Sequence, residues 1–272
     1  MKAAAFDHAA RDYDIDFVRS RLGQELRAAV WDRLSATFKP GDRILELNCG
    51  TGEDAVWMGK RGIRVVATDI SSEMLDLTAR KALAQGVSEM VTVRRLDISR
   101  PGELPPNLRF DGVLSNFGGL NCAGDLKPLA SMLAERVVPG GVMVLVFMAR
   151  LCLWEMSWHC LRLRPAAAFR RLRRNGVEAR LGPERIRVWY PSAAHVRRTL
   201  APWFRCRRVS GLGVFLPPTY LGHMVADRPQ LFKTLVWLDR RLASRFPFRG
   251  LGDHAIFEFE RTRAGCNAHQ GK

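Results

Sequence analysis

Over its first 150 residues the chain alternates short apolar runs with stretches whose apolar side chains recur every three or four positions. That alternation predicts an α/β fold. A helical preface spans Phe6 to Phe38, with Val18, Leu22, Leu26, Ala29, Val30 and Leu34 on one stripe. Pro40-Gly41 turns the chain into a first strand, Arg43 to Leu47, and a helix follows from Glu53 to Arg61. A second strand from Ile63 to Thr68 closes on Asp69. Ser71 then caps a helix that carries Met74, Leu75 and Ala79 on one face and stops at Gly86. Val91 to Leu96 is a third strand ending at Asp97-Ile98, and Phe110 to Asn116 is a fourth. A helix over Asp125 to Val138 leads through the turn Pro139-Gly140-Gly141 into Val142 to Met148. This unbroken apolar run suits a strand buried on both faces. Farther on, Ser192 to Trp203 reads as a helix, Phe204 to Leu216 as a strand, and His254 to Glu260 as a half-buried strand.

The chemistry begins where the first strand ends, at Glu46-Leu47-Asn48-Cys49-Gly50-Thr51-Gly52. A strand that feeds a glycine turn and then a helix presents helix-start N–H groups to a ligand. Asp69, closing the next strand, can accept hydrogen bonds from two ribose hydroxyls. A dinucleotide oxidoreductase would carry Gly-x-Gly-x-x-Gly, which is missing here. The acid before the glycines would also repel a pyrophosphate, whereas a cationic sulfonium with an amino group would welcome it.

This turn, followed by Thr68-Asp69-Ile70-Ser71 and Met74-Leu75, resembles the class I methyltransferases that use S-adenosylmethionine. Asn48 stands where their first glycine usually does, and Asn tolerates the backbone angles involved. The likeness runs from about Arg43 to Met148, and Phe110-Asp111-Gly112-Val113 and Pro139-Gly140-Gly141 share in it. It implies a Rossmann-like, seven-stranded, mostly parallel sheet with helices on both faces and a reversed last strand, with helical insertions after strands five and six. It also implies one methyltransferase domain over 1–272. Residues 1–39 would be a helical lid, 40–149 the cofactor-binding core, and 150–190 and 217–251 insertions that choose the methyl acceptor.

Cofactor contacts are expected at Glu46, Asn48, Gly50, Gly52, Asp69, Ile70, Met74, Ser115 and Asn116. By the resemblance, Tyr13 would cover the methionine end. Asp97 would read the adenine amino group, and Ile98 would pack its ring. No metal cluster is expected.

Charge then narrows the partners. The formal net charge is +16, and Arg150 to Arg208 holds 15 Arg, no Lys and three acids (Glu155, Glu178, Glu184). Trp154, Trp158, Leu161, Leu163, Phe169 and Leu172 are interleaved with those arginines. Such a mixture suits an anionic membrane surface, and equally an ordinary solvated face. The longest apolar stretch ends at Arg150, too short to span a bilayer, and Met1 to Asp7 holds no signal-like apolar run. Six cysteines without close paired spacing argue against zinc and disulfides, so a reducing cytoplasm is expected, with a peripheral place at the inner membrane surface as its extension.

Three acceptor classes rank in order: a small lipophilic or isoprenoid-like molecule, a soluble metabolite, and a nucleic acid such as RNA bound by the basic face. A scaffold that binds the cofactor without transferring its methyl group stands behind all three. The nucleic acid comes last because Ser115-Asn116-Phe117-Gly118 is not the Pro-Pro motif of base-amine methyltransferases. Where a base or orienting group is needed, Glu155, His159, Tyr190 and His223 are the candidates, with His254 and Tyr220 behind them. Asp253 and His254 are not expected to form a dyad, because neighbours on a strand point to opposite faces.

Overall fold

Ile44 and Leu45 are adjacent in β1 (Arg43–Leu47), yet they belong to cores on opposite sides of one sheet. The computed structural model describes residues 6–7, 18–181 and 183–263. The same split divides Val65 from Val66 in β2 (Arg64–Asp69), Val113 from Leu114 in β4 (Phe110–Ser115), and Val144 from Leu145 in β5 (Val137–Met148). A period of two with both positions apolar requires cover on both faces.

One face is covered by α1 (Arg21–Thr37), α2 (Glu53–Gly59), α3 (Ser72–Ala84) and α9 (Pro229–Leu242). The other is covered by α4 (Lys127–Arg136) and α7 (Ala193–Leu200). Leu26, Val30 and Leu34 of α1 are almost wholly buried. Each contributes about 1.5–3 kcal/mol to docking that helix. Ser20 caps it, accepting from the Gly23 N–H at 3.0 Å.

The sheet order is β3-β2-β1-β4-β5-β9-β8, with β3 at Val91–Arg95, β8 at Phe204–Leu212 and β9 at His254–Arg261. Strands β1 to β5 run parallel, and β9 runs antiparallel to both its neighbours. The expected reversed last strand is therefore β9, inserted between β5 and β8.

Three boundaries differ from the sequence reading. Pro139-Gly140-Gly141 is not a turn before β5. It lies inside the strand, where the register with β4 shifts between Phe110 and Gly112 and Gly140 takes φ +84°. The insertion after β5 is not wholly helical. After α5 (Leu153–Leu161) and the short α6 (Pro165–Ala168) comes an antiparallel hairpin, β6 (Val177–Leu181) with β7 (Glu184–Val188). Lastly, β8 stops at Leu212 instead of Leu216. The N–H groups of Gly213, Val214 and Phe215 all donate to the Asp239 carboxylate on α9 and not to a neighbouring strand. The insertion after β8 is helical as expected, with α8 (His223–Ala226) and α9. Among the described residues no helix is long and apolar enough to cross a membrane.

Candidate active site

The parallel strands end on one edge of the sheet, and the chain reverses there through tight turns. Asn48, Gly50 and Gly52 all take positive φ. At Gly52 an added Cβ would stand 2.7 Å from the Thr78 side chain and 2.9 Å from its Cα, so only glycine fits. Asn48 is tolerated because its neighbour across the crevice is also a glycine: a Cβ on Gly119 would lie 2.4 Å from that of Asn48.

Asp69 accepts from the Gly50 N–H at 3.1 Å and from the Ser71 N–H at 3.0 Å. Burial pushes its carboxyl up, while those amides pull it back. The Glu46 carboxyl is raised well above its ordinary value by burial first, then by Asp54, with Asp69 adding to the effect against Arg27. Glu46 Oε2 and Asn48 Oδ1 are buried with no hydrogen-bond partner. Asp54, on the first turn of α2, gathers Trp31 Nε1 at 2.7 Å, Arg27 Nη1 at 2.7 Å and Asn116 Nδ2 at 2.9 Å. Three buried carboxyl groups, Glu46, Asp54 and Asp69, thus face one guanidinium. That leaves a deficit of positive charge and two orphaned acceptors at the glycine turn. A ligand bearing a sulfonium, an ammonium and sugar hydroxyls fits this donor set.

A narrow crevice of about 130 Å³ opens here, lined by Phe6, Asn48, Gly50, Asp69, Ile70, Met74, Asn116, Phe117, Gly119 and Leu181. Six of the residues expected from the sequence meet at it: Asn48, Gly50, Asp69, Ile70, Met74 and Asn116. Glu46, Gly52 and Ser115 lie in the adjoining strand ends and turn, and the Ser115 hydroxyl is buried without a partner. The Asn116 amide is already engaged, donating to Asp54 and accepting from the Phe117 N–H. Asp97 holds the N–H and hydroxyl of Ser99 at 2.9 and 2.6 Å. Ile98 does not line the crevice; it is buried in the core with Leu45, Val66 and Leu104. Tyr13 lies outside the described residues.

Beyond Phe117 stands a second constellation. The Phe117 ring meets His254 edge-on at 5.6 Å, and His254 Nδ1 is 3.3 Å from Asp253 Oδ2. The sequence reading implied no dyad here, and His254 Nδ1 indeed makes no hydrogen bond, although Asp253 precedes β9 and strand alternation does not separate the two. Arg171 Nη2 reaches Asp253 Oδ1 at 2.7 Å and Glu155 Oε2 at 2.5 Å, and Arg170 Nε reaches Glu155 Oε1 at 2.6 Å. Burial pushes the Asp253 carboxyl up, but His254 and Arg171 together hold it well below the usual range. Glu155 is held low in the same way by Arg171 and Arg170. Cys152, Glu155 and Asp253 have the spacing of metal ligands, but the guanidinium of Arg171 fills the space between the carboxylates. Burial pushes the Cys152 thiol up to about 12.

Both Glu155 oxygens are thus committed to arginines. Tyr190 packs its ring 5.2 Å from the Arg171 guanidinium carbon, and burial raises its hydroxyl. His159 sits half-buried on α5 with Nδ1 unpartnered, while His223 is exposed on α8 and joined to none of these groups. Three contributors, Arg27, Asp54 and Arg171, escaped sequence reasoning. Arg27 and Asp54 are remote partners. Arg171 is one arginine in a dense run, and no local pattern singles it out. Asn121 ties the loop after β4 to Met148 and Trp189 through four hydrogen bonds of 2.6–3.2 Å.

Known proteins are similar to this chain in part of its sequence and in its fold. Residues 44–141 match the family described as a methyltransferase domain. A demethylmenaquinone methyltransferase from Symbiobacterium thermophilum is 31% identical over 148 residues, covering 50% of this chain and 54% of that one. A tRNA 5-carboxymethoxyuridine methyltransferase from Escherichia coli is 29% identical over 155 residues, covering 54% and 57%. The chain thus spans a little over half the length of these relatives. Among solved structures, an S-adenosylmethionine-dependent methyltransferase from Clostridium acetobutylicum superposes with a TM-score of 0.60 at 14% identity, over 93% of this chain and 97% of that one, and so shares the fold. Strand order, glycine turn and domain match agree: residues 44–141 are a methyltransferase domain, set in the fold that S-adenosylmethionine-dependent methyltransferases share.

Proposed function

We propose that the chain transfers a methyl group to a small lipophilic, isoprenoid-like acceptor that it meets at an anionic membrane surface. The observation that carries this reading is the inverted helix α5. Its sequence, Leu153-Trp154-Glu155-Met156-Ser157-Trp158-His159-Cys160-Leu161, is largely apolar, yet Glu155 is its one buried residue. Leu161 and, just beyond it, Leu163 are 83% and 89% exposed, and Phe169 and Tyr220 are exposed too. Arg162 and Arg164 alternate with these leucines, and Arg162 stacks over Trp158 at 4.0 Å. An acid turned inward and an apolar face turned outward between arginines is what an interfacial segment needs. The helix is tied to the ligand edge through Glu155, Arg171 and Asp253. The name of the Symbiobacterium relative, a quinone methyltransferase, supports the same acceptor class.

S-Adenosylmethionine, when bound, supplies an electrophilic methyl carbon. In this reading Asp69 holds the ribose hydroxyls, and Glu46 and Asn48 take the cationic end. Phe117 and the hairpin tip at Leu181 keep water from the crevice. Positioning is then the main catalytic effect, and good alignment can supply about 7–11 kcal/mol. Where the acceptor must lose a proton, His254, beside Phe117 and 3.3 Å from Asp253, is the base this reading assigns.

Transfer of labelled methyl into a host extract tests the reading. Label in the organic phase is expected, and it should fall sharply with Leu161→Ser/Leu163→Ser when the acceptor is offered in anionic vesicles. Label in RNA or in a water-soluble metabolite would overturn the acceptor class, and label in no product at all would overturn methyl transfer.

A further inference from the structure

A second cavity, of about 470 Å³, lies outside the cofactor crevice, and four arginines from separate parts of the chain converge on it. Arg150 follows β5, Arg173 and Arg174 follow α6, and Arg198 lies on α7. Trp189 and Tyr190 form a wall, and Ser192 and His195 bring the amino end of α7 to the rim. No Asp or Glu lines the cavity, and among the described residues none of the four guanidinium groups has a carboxylate within 4.0 Å. Arginines elsewhere do find acids: Arg185 and Arg187 share Glu178, and Arg205 and Arg207 share Glu260. Arg150 is further oriented by donating to the Leu172 carbonyl at 3.2 Å.

Four uncompensated forks in one concavity repel one another, so an anion of more than one charge relieves more than a single carboxylate would. Guanidinium geometry matches phosphate oxygens two at a time, and a helix amino end adds to the attraction. We propose that this cavity binds a phosphate or diphosphate group. Two sources share that chemistry: the headgroup of an anionic lipid and a soluble phosphorylated compound. The proposal does not depend on methyl transfer, since the crevice residues take no part in it.

Calorimetry with inorganic pyrophosphate at low salt tests it. The parent should bind. Arg173→Gln/Arg174→Gln/Arg198→Gln should lose at least about tenfold in affinity, while Arg185→Gln/Arg187→Gln keeps it. Circular dichroism and S-adenosylmethionine binding should stay unchanged in both variants, which separates loss of the anion from loss of the fold. No binding by the parent at millimolar pyrophosphate, or equal binding by the triple variant, would overturn the proposal. Vesicles with and without an anionic phospholipid then assign the source. Displacement of bound vesicles by pyrophosphate identifies the headgroup, and vesicle binding indifferent to pyrophosphate identifies the soluble compound.

Discussion

The side chain of Asn48 occupies the space that any side chain on Gly119 would need; the two Cβ positions would be 2.4 Å apart. One strand-end turn departs from glycine, and the facing loop supplies the glycine instead. Gly119→Ala should therefore cost about 1–3 kcal/mol by overpacking. Adding Asn48→Gly should recover at least half of that loss in thermal melts of the double variant. Additive losses would show that the two residues are not coupled.

Glu46 carries a prediction with opposite signs for stability and binding. Its carboxyl is raised by burial. Its neutral form therefore supports folding below the ordinary carboxylate range, and that support is lost as pH rises through the elevated value. The melting temperature of Glu46→Gln minus that of the parent should rise as pH is raised above the ordinary carboxylate range. Cofactor affinity should meanwhile fall about tenfold, because an orphaned acceptor becomes a donor. A flat pH profile would refute the assignment.

Asp69→Asn keeps an oxygen for one of the two amides that Asp69 now binds, so the fold should survive. Calorimetric affinity for S-adenosylmethionine should fall about tenfold or more, the worth of one charged hydrogen bond. Unchanged affinity would remove Asp69 from the ribose.

Arg171→Met leaves Glu155 and Asp253 buried without their shared cation. The expected loss at neutral pH is about 3–5 kcal/mol in denaturant unfolding. Both carboxyls are depressed in the parent. Their contribution is present above the ordinary carboxylate range and disappears as pH falls through the lowered values. The gap between parent and variant should narrow on acidification below about pH 4.

Sequence reading reached the sheet and the glycine turn because both are written locally. The runs at Ile44-Leu45 and Val144-Leu145 announce strands, and Gly50, Gly52 and Asp69 sit at strand ends where position alone assigns them. The hairpin was missed: Val177 to Leu181 and Glu184 to Val188 alternate apolar and polar residues around Gly182-Pro183, but the surrounding arginines hid the period. Contacts made at long range were not legible. Nothing near Leu212 signals that Asp239 will take three of the following N–H groups. Nor does the arginine run show that Arg171, of all its members, pairs with Asp253 82 positions away.

Asp54 joins α1, through Arg27 and Trp31, to the end of β4 through Asn116. A shortened version of the protein that began after this helix would strip the acid of the Arg27 guanidinium and leave it beside Glu46 in a dry setting. Helix α1 is thus an integral support of the glycine turn, and anyone trimming the chain to its most recognisable hundred residues should expect the crevice to be lost with it.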